Sequence, residues 1–309
     1  MDNFKITITT VMIMFLYAIP GFLLMKFKKV ESSHIKTVST ILVYVFGPCM
    51  ILDSFLSVER NKETIINMII FALATIVIQI AAIVILYFIF KKKYDDAKYR
   101  MLTVGSVCGN NGFFGLPIIR AVLSDYPIAQ TYSSIFVFTM NAIVFTVGSF
   151  CITREKKYIS FKQAFLNPTS VALIVSIILF SFGFSFDFQK DIGSAVSLLG
   201  KMTTPVCMIV LGMRLACIKF RDLFNKPIVY LTAALKLIFF PLLAYLCVYF
   251  LPVDNVFKAS MLILSSVPTA AVVLNLAEMY DANQEIAANI VMITTLFSII
   301  TIPIVLLIL

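Results

Sequence analysis

The sequence predicts an all-α integral membrane protein of ten transmembrane helices, arranged as two inverted repeats of five, with helices four and nine broken where they cross. Three observations carry this: an apolar composition, ten apolar runs of bilayer length, and helix-breaking clusters at matching places in the two halves. Of 309 residues, 61% are hydrophobic and 13% charged, and the mean hydropathy is +0.99, which marks a polytopic membrane chain. A hydrocarbon core about 30 Å thick takes about 20 helical residues. Runs of that length fall at 4–25, 35–56, 64–90, 98–123, 127–152, 168–186, 192–213, 226–250, 257–280 and 284–308.

The loops between them are short. The longest, 153–167, is a basic connector that separates a first repeat (1–152) from a second (168–309). Basic residues follow the first, third, fifth and seventh runs, from Lys26 through Lys91, Arg154 and Arg214 onward. Seventeen lie on that side and five (Lys5, Arg60, Lys62, Lys190, Lys258) on the other. The positive-inside rule then makes the first side cytoplasmic, with both termini outside and the protein in the cell membrane. The first run has no basic region before it and no small-residue cleavage site, so it reads as a retained span.

The formal charge of +9 is explained by this topology, and no basic face for nucleic acid is present. Six scattered cysteines without ligand spacing read as small apolar residues. His34 is the single histidine and sits at a loop edge, which excludes histidine-based metal sites and a Ser-His-Asp arrangement. The sequence carries no Walker lysine motif. Neither enzyme chemistry, a cofactor nor a metal is expected.

The informative stretch is Cys108-Gly109-Asn110-Asn111-Gly112-Phe113-Phe114-Gly115-Leu116-Pro117. Glycine weakens a helix by about 1 kcal/mol and proline by about 3. Backbone freed at membrane depth must be buried in protein or line a wet cavity, and transporters commonly bind substrate at such discontinuous helices. Pro48 in run two matches Pro205 in run seven, 157 residues on; an offset of 156 sets Gly112 against Pro268 and Pro117 against Val273. Gly115, Pro117, Pro268 and Val273 therefore mark the expected breaks.

Asn110, Asn111 and Gly112 at the first break, Ser266, Thr269 and Asn275 at the second, and Asn141 in run five are the expected substrate contacts. Buried amides need partners, and either helix-to-helix glue or ligand contact supplies them; the adjacent break favours the ligand. Lys236, about ten residues from either end of its run, is expected to neutralise a substrate carboxylate or pair with an internal acid. Arg120 and Lys201 are expected to snorkel, and Asp53 and Glu278 are the titrating candidates if protons couple transport.

Asn110 through Pro117 resembles the Asn-x-Gly-x-x-Gly-x-Pro pattern of the auxin efflux carrier family. Val267-Pro268-Thr269-Ala270-Ala271, Ala277-Glu278-Met279-Tyr280-Asp281, Thr294-Thr295 and Ile302-Pro303 are similar to its C-terminal region. Bacterial members of this length are called malate or malonate permeases. The resemblance implies a fold of the bile acid symporter type, with spans one, two, six and seven as a scaffold and spans three to five and eight to ten as a transport domain. It also implies an elevator-like secondary transporter of a small organic mono- or dicarboxylate, with Asn110 as amide contact and Pro117 as crossover proline. Val273 departs from the pattern, since plant relatives place a second crossover proline there. A coupling ion, H+ or Na+, and a homodimer are compatible with it. The alternatives are a sodium-coupled symporter of the bile acid type and a non-transporting membrane receptor.

Overall fold

The computed structural model describes residues 2–56, 58–182, 192–217 and 225–309; the end of the expected sixth span at 183–186, and Lys190, Lys219 and Arg221, lie outside them. Among the described residues the secondary structure is helical, apart from one isolated β-bridge. In chain order, α1 (Asp2–Lys26) is followed by α2 (Ser32–Ile41) and α3 (Gly47–Leu56), joined by a π-helical turn at Leu42–Phe46. Then come α4 (Lys62–Phe90), α5 (Ala97–Val107) and α6 (Leu116–Val122), the last preceded by a π-helical turn at Asn111–Gly115. Next are α7 (Ile128–Ile143) and α8 (Ser149–Thr153), continuous through Val144–Gly148, with α9 (Phe161–Phe165) and α10 (Pro168–Ser181) behind them. The second half adds α11 (Ile192–Cys217), then α12 (Pro227–Ala234) and α13 (Phe240–Tyr249) joined through Leu235–Phe239, and finally α14 (Asn255–Ser266), α15 (Val272–Met279) and α16 (Gln284–Val305).

Local chemistry explains many of these limits. Asn61, Asn167 and Asp254 each accept a hydrogen bond from a first-turn N–H of α4, α10 and α14, at 2.7, 2.9 and 2.6 Å, filling donors that a helix start leaves unpaired. Three of the π-helical turns lie just ahead of a proline, Pro48, Pro117 and Pro241. A proline lacks the N–H and crowds the carbonyl four residues back, and a wider turn relieves both.

Among the described residues, seven helical stretches are long and apolar enough to cross a membrane: Phe4–Lys26, Ser32–Phe55, Lys62–Lys93, Ile128–Thr153, Ile192–Cys217, Pro227–Tyr249 and Gln284–Ile308. An eighth follows if Lys156–Phe165 and Pro168–Ser181, bent by 46°, count as one span. The expected runs 98–123 and 257–280 are each two shorter helices around a break, so neither is a single long helix. Helix α4 is apolar on every side. Met68, Phe71, Ile78, Ala82 and Leu86 are buried, while Ile69, Leu73, Val77, Ile80, Val84 and Phe88 form an exposed stripe at spacings of three and four. In water such a stripe would be an association liability; it is what lipid requires. The chain is an integral, multi-pass membrane protein.

Helices α1 and α11 approach each other closely. A Cβ at Gly21 would run into the backbone carbonyl of Ile209, and one at Gly212 into that of Ala18, while one at Gly200 would come within 3.1 Å of the Cys49 carbonyl oxygen and the Met50 Cα on α3. Small residues let backbones meet in this way. Gly212→Val is expected to destabilise the protein by at least about 1–3 kcal/mol, the usual cost of overpacking, read as a lower melting temperature in detergent; an unchanged melting temperature would contradict this packing.

Candidate functional site

Helix α5 ends at Val107 because Cys108 turns extended, with ψ of 107°, and the chain re-enters helix only at Asn111. Helix α14 ends at Ser266 because Val267 precedes Pro268 and is extended, with ψ of 154°, the conformation a following proline imposes. The two interruptions meet. Gly109 and Thr269 oppose each other in an antiparallel bridge; the Asn110 N–H donates to the Pro268 carbonyl at 2.8 Å and the Ala270 N–H to the Cys108 carbonyl at 3.0 Å. Glycine is required at position 109, where a Cβ would come within 2.9 Å of Val267 Cγ2.

Of the four expected break markers, Pro268 lies in a break. Gly115, Pro117 and Val273 lie in the helices that resume. Pro117 sits at the start of α6, directly after the π-helical turn that accommodates its missing N–H. Gly115 allows close packing, since a Cβ there would meet Leu264 Cδ2 at 2.8 Å. Val273 is fully buried.

The helix ends exposed by the breaks are handled differently. Each C-terminal end is covered by a side chain from elsewhere: Thr269 Oγ1 donates to the Gly105 carbonyl at 2.8 Å, Asn111 Nδ2 to Leu264 at 2.5 Å, and Lys236 Nζ to Ser265 at 2.8 Å. The N–H groups of Gly112, Phe113, Ala271 and Val272, at the two resuming ends, take no hydrogen-bond partner among the described residues. Those donors carry the positive ends of the helix dipoles.

The four residues line a cavity of about 290 Å³, near the lower limit of small-ligand sites. Of the expected contacts, Asn110, Asn111, Gly112, Asn141, Thr269 and Asn275 line it. Ser266 and Lys236 do not. The Ser266 hydroxyl donates back to Leu262 within α14 at 2.6 Å, and Lys236, fully buried, lies behind the break with its ammonium 4.7 Å from the Phe240 ring centroid. Asn111 Oδ1 is buried without a partner among the described residues. Asn141 donates to Thr169 Oγ1 at 3.1 Å.

The wall also holds residues that sequence reasoning missed, chiefly Ser39, Thr169, Thr295 and Arg214. Arg214 is the one charged residue among the described lining residues, and no carboxylate among them lies within ion-pair distance of it. The sequence places it in the loop after the seventh run, yet α11 continues to Cys217. The signal was available, because Leu215-Ala216-Cys217 is as helix-compatible as what precedes it.

Ser39, Thr169 and Arg214 lie at the helix ends next to the basic loops, so the cavity runs from the breaks toward that side. At the opposite helix ends, Arg120 donates to Asp53 at 2.7 Å and to Gln130 Oε1 at 2.8 Å, Ser54 and Ser134 hydroxyls meet at 2.8 Å, and Thr131 donates to the Ser54 carbonyl at 2.9 Å. Arg120 is thus paired rather than simply snorkelling. Glu278 is exposed near the end of α15 and does not line the cavity.

A lipid-facing helical bundle with a small cavity at paired helix breaks defines a polytopic membrane protein built around an internal site. The profile of the membrane transport protein family, the auxin efflux carrier family, matches residues 6–306, and the chain belongs to that family. It is 25% identical over 314 residues to an uncharacterized transporter of Methanocaldococcus jannaschii, covering 96% of this chain and 97% of that protein.

Replacing Asn111 with alanine would leave the buried Leu264 carbonyl without its side-chain partner, a loss of about 1–3 kcal/mol. Thermal unfolding in detergent is expected to show Asn111→Ala melting below the wild type; equal melting would mean that the amide is not holding the end of α14.

Proposed function

We propose that this membrane transporter moves small organic anions, mono- or dicarboxylates, by an elevator-type alternation. The observation that carries the reading is the cavity itself, lined both by the first turns of two helices, whose N–H groups are unpaired among the described residues, and by a single cation, Arg214. Helix N-termini attract carboxylates, and a guanidinium binds a carboxylate through two parallel hydrogen bonds. Asn110, Asn111, Thr269 and Asn275 then orient the rest of the substrate.

On this reading 98–123 and 257–280 are spans four and nine of ten, both termini lie outside the cell membrane, and the cavity opens to the cytoplasm. The inverted repeat is supported by matching contacts, α1 on α11 as α10 on α3, and α4 on α7 as α12 on α16. Helices α1–α3, α10 and α11 form the scaffold; α4–α8 and α12–α16 carry the substrate. Glycine contacts of backbone on backbone, at Gly21, Gly200 and Gly212, lie inside the scaffold. Across the dividing surface the close contacts are made by side chains, some onto backbone as from Thr131 to the Ser54 carbonyl: a Cβ on Gly112 would be 3.2 Å from the Met50 methyl, and Phe15 meets Phe114 edge-on at 6.5 Å. Flexible side chains permit sliding where locked backbones do not. The Asp53–Arg120 pair holds the outer side shut and must open when the domain moves.

Flux of labelled malate, malonate and indole acetate into proteoliposomes tests the substrate class, and no flux of any carboxylate would contradict it. For whichever of these is carried, Arg214→Gln is expected to raise KM by about tenfold or more, the worth of one charge-assisted hydrogen bond. Wild-type kinetics in that variant would remove Arg214 from the site. Asn110→Ala is expected to lower uptake while the protein still folds and inserts; normal transport would remove the amide.

A further inference from the structure

A second cavity, also of about 290 Å³, lies at the other ends of two of the half-helices that make the crossing. Helix α5 runs to the break from its first turn, where Ala97 and Arg100 line this cavity, and α15 runs from the break toward Tyr280 and Asp281 in the same wall. Helices of 11 and 8 residues therefore separate the two cavities, about 12–16 Å at 1.5 Å per residue. They share no described lining residue. Their walls also differ in kind, since Ala97, Ile152 and Ala282 are the only apolar residues of the second.

Two opposite charges stand in that wall without an ionic partner. Arg100 makes no ion pair among the described residues, and its Nε is buried with no hydrogen-bond acceptor, a costly state for a charged donor. Asp96, one turn before it, is committed to Lys98, accepting from its N–H at 3.0 Å and from its ammonium at 2.8 Å. Asp281 likewise has no cation within ion-pair distance, and its carboxylate accepts from the Gln284 side chain at 3.1 Å. The other carboxylate of the wall, Glu155, is paired with Lys157 at 2.5 Å.

Free to move, a guanidinium and a carboxylate sharing one small cavity would pair. Here the backbone holds them apart. Asp281 and Asn283 are both left-handed, with φ of 50° and 51°, and Arg154, at 61°, sets the turn between Thr153 and Glu155. Such conformations are costly outside glycine and persist where the surroundings over-determine them.

We propose that this cavity binds a small zwitterion, its anionic group (carboxylate or phosphate) on Arg100 and its primary ammonium on Asp281. A guanidinium holds either anion through two parallel hydrogen bonds. A ligand of one charge would satisfy one residue and leave the other bare, whereas a zwitterion completes the pair that the backbone keeps open. The rings of Tyr158 and Tyr280, with centroids 4.9 Å apart, offer apolar faces to the carbons between the two groups. Two sources carry this chemistry: a free amino acid or aminoalkyl phosphate, and the headgroup of phosphatidylethanolamine. Neither the orientation proposed above nor the identity of the transported substrate enters this assignment.

Thermal unfolding of the purified full chain tests it. In detergent, glycine and phosphoethanolamine are titrated against acetate and ethylammonium at equal ionic strength; in nanodiscs, phosphatidylethanolamine is compared with phosphatidylcholine, whose trimethylated head lacks the N–H donors. A zwitterion is expected to raise the melting temperature in a dose-dependent way, as a ligand bound only by the folded state does, while acetate and ethylammonium do not. Arg100→Gln and Asp281→Asn are each expected to raise the half-saturating concentration by about tenfold or more, the worth of one charge-assisted hydrogen bond. Arg214→Gln, in the first cavity, is expected to leave the response intact. A response to the dissolved zwitterions assigns the free molecule, and a response to phosphatidylethanolamine alone assigns the lipid head. No response in either arm, an equal response to acetate or ethylammonium, wild-type behaviour of Arg100→Gln or Asp281→Asn, or loss of the response in Arg214→Gln would each overturn the proposal.

Discussion

A peptide group cannot go unpaired in hydrocarbon, and the structure depends on how that constraint is met at two places. An unbroken helix meets it internally. Here both α5 and α14 stop inside apolar surroundings, and each supplies what the other lacks: Asn110 reaches the Pro268 carbonyl and Ala270 the Cys108 carbonyl. The exchange is reciprocal about Gly109 and Thr269. Interrupting only one helix would leave donors and acceptors with no opposite number, so the breaks are structurally a single feature.

The asymmetry left over is where chemistry becomes available. Carbonyl ends are covered by Thr269, Asn111 and Lys236, whereas N–H ends remain open toward the cavity. Capped acceptors and free donors are what the proposed anion reading rests on, since helix N-termini favour negative charge. In the proposed reading Arg214, on α11, reinforces the same preference, and an anion held by it and by the breaks would touch both the crossing and the helix packed against α1. In the proposed mechanism that bridging contact links substrate occupancy to the position of one domain against the other. The side-chain character of the dividing surface is what makes such movement physically reasonable.

Much of this was legible in the sequence. The glycine and asparagine cluster at 108–115 and Pro268 announce interruptions through propensity alone, and Asn110, Asn111, Thr269 and Asn275 follow as polar residues beside them. Charge and position could not separate the two cations. Lys236 sits deepest in its run and so attracted the substrate role, but its Nζ turns to the end of α14. Arg214 sits near a helix end, where loop lysines and arginines also lie, and only the path of α11 past it puts it in the cavity wall. The exact points of interruption were equally hidden. Pro117 and Gly115 look like breakers, yet a π-helical turn ahead of Pro117 absorbs the proline and the chain leaves helix earlier, at Cys108. Long apolar runs counted as spans cannot show whether a run is one rod or two.

The central claim is that the two interruptions lie side by side inside the protein. Paired residues on an antiparallel bridge place their side chains on the same side and within disulfide reach. Cys108 is native, and its opposite number is Ala270. A chain with Cys108 as its only native cysteine and Ala270→Cys added should form an intramolecular disulfide on mild oxidation, seen by peptide mapping as one cross-linked species joining the two halves. Failure to cross-link, with both thiols free to be modified separately, would mean that the breaks do not meet.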